Sequence, residues 1–256
     1  MIHIKQCTMK FLSRVVCITI LASLFTGCDT NEARKAMVHF DRAFVPLMIY
    51  TFEGDIHQAK RSVFYVEFQW QKLKKQYQGY LPEEAESLAR INSWLGDAYY
   101  AIDANNLLLA ANQLEHVKYE FMELRQQYAI EYYLDGLFEF QDAIGLLTEA
   151  AEDEMLCLME WEEYEHLLYK TIAEWQALRK EPLDTELYEF DEARARQLVS
   201  KQEAMEAVLY QFAETFSNAN RRQLAIASQS LQPAFFEVLR LFGNFEASQT
   251  YFAQIY

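Results

Sequence analysis

Residues 56–77 set Ile56, Ala59, Val63, Val66, Trp70, Leu73 and Tyr77 at alternating spacings of three and four. That rhythm lines up apolar side chains along one side of an α-helix and does not suit a strand, whose faces alternate every second residue. The spacing recurs at Leu107, Ala110, Leu114, Val117, Phe121, Leu124 and Tyr128, and again at Leu224, Ala227, Leu231, Ala234, Val238, Leu241 and Phe245. All three copies place Ala second and an aromatic seventh. A degenerate copy follows Trp161, Tyr164, Leu168, Thr171, Trp175 and Leu178. Two apolar positions per seven residues describe a seam that packs at a shallow angle, as in antiparallel bundles. Copies starting at 56, 107, 161 and 224 are further apart than the roughly 34-residue tetratricopeptide unit.

Helix stop and start signals separate the seams. They stand at 53–55, 78–82, 103–106, 180–182 and 217–220, with weaker ones near 128–132 and 151–153. Asp55 with Gln58 suits an N-cap and its capping-box partner, and Pro82 suits a first helical turn. The expectation is an all-α protein of about eight helices in four antiparallel helical hairpins, forming one elongated or two tandem helical bundles. Hairpins 1 and 2 would span 37–130, and hairpins 3 and 4 with a C-terminal tail 131–256. Composition agrees: 256 residues, 52% hydrophobic and 15% aromatic, can bury a large core, while 7 Gly and 4 Pro leave few turns.

At the other end of the chain, residues 1–14 carry Lys5, Lys10 and Arg14 and no acid, ahead of an apolar run from Val15 to Phe25. This is the layout of a secretory signal whose apolar core is short for a membrane span. The run closes on Phe25-Thr26-Gly27-Cys28, which resembles the lipobox of bacterial lipoproteins, with Phe25 standing where Leu is usual. The resemblance implies that residues 1–27 are a lipoprotein signal peptide, that Cys28 is lipidated and becomes the new N-terminus, and that 28–36 form a lipidated tether. Asp29 resembles the residue by which enterobacterial lipoproteins avoid sorting to the outer membrane, which implies the periplasmic face of the inner membrane. The residues alone also allow an uncleaved anchor helix with an incidental Cys. Either way the body lies outside the cytoplasm, in the cell envelope.

The first hairpin, with Pro46-Leu47, Thr51, Gly54-Asp55 and Ala59-Lys60, also resembles helical-hairpin domains of periplasmic bacterial proteins, and no functional residue is carried over from them.

Charge narrows the partners. The net charge is −15, and loss of the leader removes three basic residues and no acid. Nucleic acid would repel such a body, and so would anionic lipid headgroups. Membrane attachment would therefore rest on acyl chains at Cys28. Of Cys7, Cys17, Cys28 and Cys157, only Cys157 would remain as a thiol, so no intramolecular disulfide is possible.

No Ser-His-Asp frame, Gly-rich phosphate loop or paired Cys-x-x-Cys is present, and no cofactor is expected. Glu163 and His166 stand three apart and share a helix face, as in di-iron bundles, but those sites need a second such motif and further carboxylates. His116 with Glu120 one turn later is a second acid–imidazole pair. Met155, Met159 and His166, near Cys157, form a set soft enough for cuprous copper, although Met at helical spacing is more often core. Glu165 falls near the degenerate seam, as either a register error or a partly buried acid. Acidic runs at 83–86, 149–154, 160–165 and 181–192 read as solvated faces or as an electronegative surface for a basic partner. The tail with Tyr251, Phe252, Ile255 and Tyr256 either folds back or anchors a partner. The resulting expectation is a non-catalytic helical binding or scaffold module for other envelope proteins, with a ligand- or metal-binding periplasmic bundle, tested through Glu163, His166 and His116, as the alternative.

Overall fold

The computed structural model of the chain describes residues 31–80, 84–152, 161–218 and 221–255. Cys28, Asp29 and the rest of the leader lie outside these residues, as do Pro82, Met155, Cys157 and Met159. The described chain is all-α, with no strand. Its helices are α1 (31–52), α2 (Ile56–Tyr80), α3 (Ala85–Asp103), α4 (Leu107–Gln127), α5 (Tyr133–Glu152), α6 (Trp161–Leu178), α7 (Glu192–Asn218), α8 (Arg221–Ser228), α9 (Leu231–Leu239) and α10 (Phe245–Ile255). A single 3₁₀ turn, Arg240–Phe242, joins the last two. Among the described residues no helix is long and apolar enough to cross a membrane.

Several turns close in the same way. Gly54, Asn105, Ala129 and Glu189 all take left-handed φ, of 79°, 60°, 50° and 54°. In each case the next N–H reaches back five residues, as from Asp55 to the Tyr50 carbonyl (2.9 Å) and from Asn106 to that of Ala101 (2.8 Å). This pattern satisfies carbonyls that a helix end leaves without donors. The Asp55 side chain accepts from the Gln58 N–H at 3.1 Å, and Asn106 does the same for Leu109. The expected turn at 180–182 is longer than its sequence signal, running from Arg179 to Asp191. It is held by Asp184 and Asp191, which accept from the N–H groups of Leu187 and Arg194.

The C-terminal half of α1 is enclosed. Every residue from Ala43 to Thr51 is buried, as expected of a helix apolar on all sides. The Phe40 ring lies 6.0 Å from Trp70 of α2 and 4.9 Å from Phe121 of α4. Phe52 meets Phe236 of α9, and Tyr50 meets Phe245 of α10. Pro46 sits mid-helix, where it supplies no N–H for the carbonyl of Arg42. The N–H of Asn244 fills that vacancy at 2.7 Å. Gly243 makes the approach possible, since a Cβ there would come within 2.7 Å of the Phe245 ring and 3.0 Å of the Pro46 ring.

Two seams face the core: Ala59, Val66, Trp70, Leu73 and Tyr77 in α2 and Ala110, Leu114, Val117, Phe121 and Leu124 in α4 are buried, while Ile56, Val63, Leu107 and Tyr128 are half-buried against them. The degenerate seam buries Tyr164, Leu168, Thr171, Trp175 and Leu178, while Trp161 is half exposed. The third copy is not one helix. Its path breaks between α8 and α9 and again after Leu239. Pro233 has no N–H for the Gln229 carbonyl and its ring crowds that carbonyl, so the helix restarts at Leu231. The C-terminal segment folds back: Ser248 bonds Ser62 of α2 at 2.5 Å, both buried, and Tyr251 stacks near Tyr65 and Phe68. The side chains of Phe252, Ile255 and Tyr256 lie outside the described residues.

Candidate functional site

Arg125, on α4 one residue past the seam position Leu124, is buried. Its guanidinium packs over the Tyr132 ring, 4.3 Å from the centroid. It donates to both Asp135 oxygens at 2.9 Å from Nε, and it lies 3.9 Å from Asp41 of α1. The Tyr132 hydroxyl donates to Asp41 at 2.6 Å. Burial pushes the Asp41 carboxyl up to about 6, against the opposing pull of Arg125 and the Tyr132 hydrogen bond. Burial alone would lower the Arg125 pKa, but Asp135 and Asp41 hold the guanidinium firmly protonated. A buried charge of this kind is tolerable only with partners on every side. The network therefore ties α1, α4 and the start of α5 in one geometry.

Three clefts open beside this network, and all three are lined by Glu181. One of about 630 Å³ adds Arg34, Glu131, Tyr132, Asp184 and Tyr188. A second of about 520 Å³ adds Glu123, Tyr132, Asp135 and Glu139. A third of about 370 Å³ adds Glu139, Lys170 and Glu174. The result is a concave, strongly acidic surface. Burial and then the charges of Asp135, Glu174, Asp142 and Glu181 raise the Glu139 pKa, which is the sign of a crowded field of like charge.

Lys118, the other buried cation among the described residues, lies seven residues before Arg125 and also follows a seam residue, Val117. It bonds Asp142 of α5 at 2.8 Å and pairs with Glu115. Basic residues seven apart beside a seam were the available signal for these two bridges.

The metal candidates are not brought together. Glu163 and His166 are exposed on α6, as is Glu165, so the seam there runs through Tyr164 and Leu168. His116 stacks on Trp94, with ring centroids 5.2 Å apart. Glu120 turns to Arg90 of α3 at 3.0 Å rather than to the imidazole; Arg90 and Ser87 together lower its pKa against the opposing effect of burial. Among the described residues no group of three or more His, Cys, Asp or Glu is placed to hold a metal ion. A further cleft of about 590 Å³ lies between α2 and α3, lined by Lys60, Arg61, Val63, Tyr99 and Ile102 among others.

Comparison of the chain with protein-family models, curated proteins and solved structures returns no match.

Proposed function

We propose that the protein is an envelope lipoprotein, held by acyl chains on Cys28, whose helical hairpins form a bundle that binds another envelope protein without catalysing a reaction. Asp29 favours the periplasmic face of the inner membrane. The observation that carries this reading is the acidic concave surface centred on Glu181 and Glu139. Its shape and field suit a basic segment of a partner, and the buried Arg125 network keeps its walls fixed before the partner arrives.

The test is affinity capture of the lipidated protein from its native envelope, with mass spectrometry of what co-purifies. A stoichiometric partner that is released by salt and lost in the Glu139→Lys/Glu181→Lys variant supports the reading. Capture that is indifferent to both overturns it.

A second reading, a ligand-binding bundle, is favoured by the cleft between α2 and α3. Its volume falls within the range of small-molecule sites, and its edge sets Lys60 and Arg61 beside Asp103 over an apolar wall of Val63 and Ile102, which suits a small amphipathic molecule. The metal version of this reading rests on Glu163, His166 and His116; elemental analysis of the purified protein, with loss of metal on His166→Ala, would favour it.

A further inference from the structure

The start of α1 meets the last turns of α2 around a cleft of about 350 Å³, lined by Ala36, His39, Gln69, Lys72, Lys75 and Gln76 together with the buried Leu73. No acid lines it. In a chain with 38 acidic and 23 basic residues, that is a local reversal of charge. Lys72 lies over the Phe68 ring at 4.5 Å, and neither it nor Lys75 forms an ion pair among the described residues. Both side chains are exposed.

Position gives this patch its meaning. Asn31, the first described residue, is already within α1 and stands three residues after Cys28. Three residues of chain span at most about 10 Å, which is also about one Debye length in physiological salt. If Cys28 carries acyl chains seated in a bilayer, the first turns of α1 sit within reach of the headgroups. Two surfaces flank those turns. On one side are the acidic clefts with Glu131, Glu181 and Asp184; on the other are Lys72 and Lys75, beside His39, whose neutral ring is favoured by burial and by Arg42 and Lys72.

We propose that the Lys72–Lys75 face of the body lies against the anionic phospholipid headgroups of the membrane that holds Cys28, so that the acidic clefts turn away from the lipid and stand open to a partner. This rests on the lipid-anchor reading. The acyl chains supply attachment, while repulsion of the acidic face and attraction of the basic one supply orientation.

The experiment uses the full lipidated protein in phosphatidylcholine vesicles, in vesicles with phosphatidylglycerol added, and in detergent with and without inorganic phosphate. Amine labelling is read by mass spectrometry, and intact mass reports acylation of Cys28. The expected result is labelling of Lys72 and Lys75 reduced about fivefold on phosphatidylglycerol vesicles, with Lys60 and Lys170 unchanged. Acylated protein whose lysines label equally in every vesicle overturns the orientation alone. Protection by inorganic phosphate in detergent without protection on vesicles also overturns it. Protein without the acyl mass overturns the anchor reading and this inference together.

Discussion

The N–H of Asn244 donates to the carbonyl of Arg42 at 2.7 Å, the one helical acceptor that Pro46 leaves without its own donor. A defect in the central helix is thereby the attachment point for the C-terminal segment, 202 positions later in the numbering. Ring contacts between Tyr50 and Phe245 and the Gln249 to Tyr50 hydrogen bond at 3.0 Å extend the same junction.

Gly243→Ala tests this junction. Gly243 has φ −93°, so alanine meets no backbone strain, and the cost comes only from the Pro46 and Phe245 rings. Overpacking of this kind costs about 1–3 kcal/mol, and a matching drop in stability should appear in urea unfolding followed by circular dichroism. Unchanged stability would show that the rings move aside freely.

Arg125→Met leaves Asp41 and Asp135 facing each other with no cation between them. Removing one partner of a buried ion pair costs about 3–5 kcal/mol, so this variant should lose far more stability than Arg196→Met, whose exposed pair with Glu192 is worth little. Thermal melts of the two variants against the parent check the ranking.

Stability should also depend on the charge of Asp41. Its folded pKa of about 6 stands above the ordinary 3.8, so the folded state holds the proton more tightly than the unfolded chain does. The contribution is fully present below about pH 4 and is lost as pH rises to about 6. Asp135 and Glu139 are shifted in the same direction and Glu120 in the opposite one. Asp41→Asn should flatten, without abolishing, the fall in melting temperature across that window.

Ala129 holds left-handed φ at the end of α4 without the freedom glycine has there. Ala129→Gly should stabilise the fold by about 0.5–1 kcal/mol, the relief of strain outweighing the added freedom of the unfolded chain. Chemical denaturation measures it directly, and a loss of stability would mean that the Ala129 methyl makes contacts of greater value.

Removing a neighbour should relax the acidic clefts. Glu181→Gln takes one like charge from the field around Glu139, so the pKa of Glu139 should move down toward the ordinary carboxylate value. Carboxyl-detected NMR titration of the two proteins resolves the shift.

The seams of α2 and α4 were legible because Val66, Trp70, Val117 and Phe121 obey one period along uninterrupted helices. The third copy keeps the same apolar spacing, yet its path breaks at Pro233 and again after Leu239; a missing donor is invisible to a count of apolar positions. The site was less legible. Arg125 and Lys118 look like parts of a solvated face, since nothing local marks the carboxylates that reach them from other helices. Glu181 opens one acidic run and Glu139 lies outside all of them, and only the packing of α5 beside the 179–191 turn brings them to one surface. The buried Leu187, Tyr188 and Phe190 likewise sit within what reads as an acidic run.

The enclosure of α1 fixes an order of events. The rings that cover it include Phe236 and Phe245, which are among the last parts of the chain to be made. A chain that emerges N-terminus first therefore leaves the apolar stretch from Ala43 to Thr51 uncovered until its last helices are made. Completion of the core has to wait for the final segment, so an early stop in translation yields a product that cannot cover its own centre.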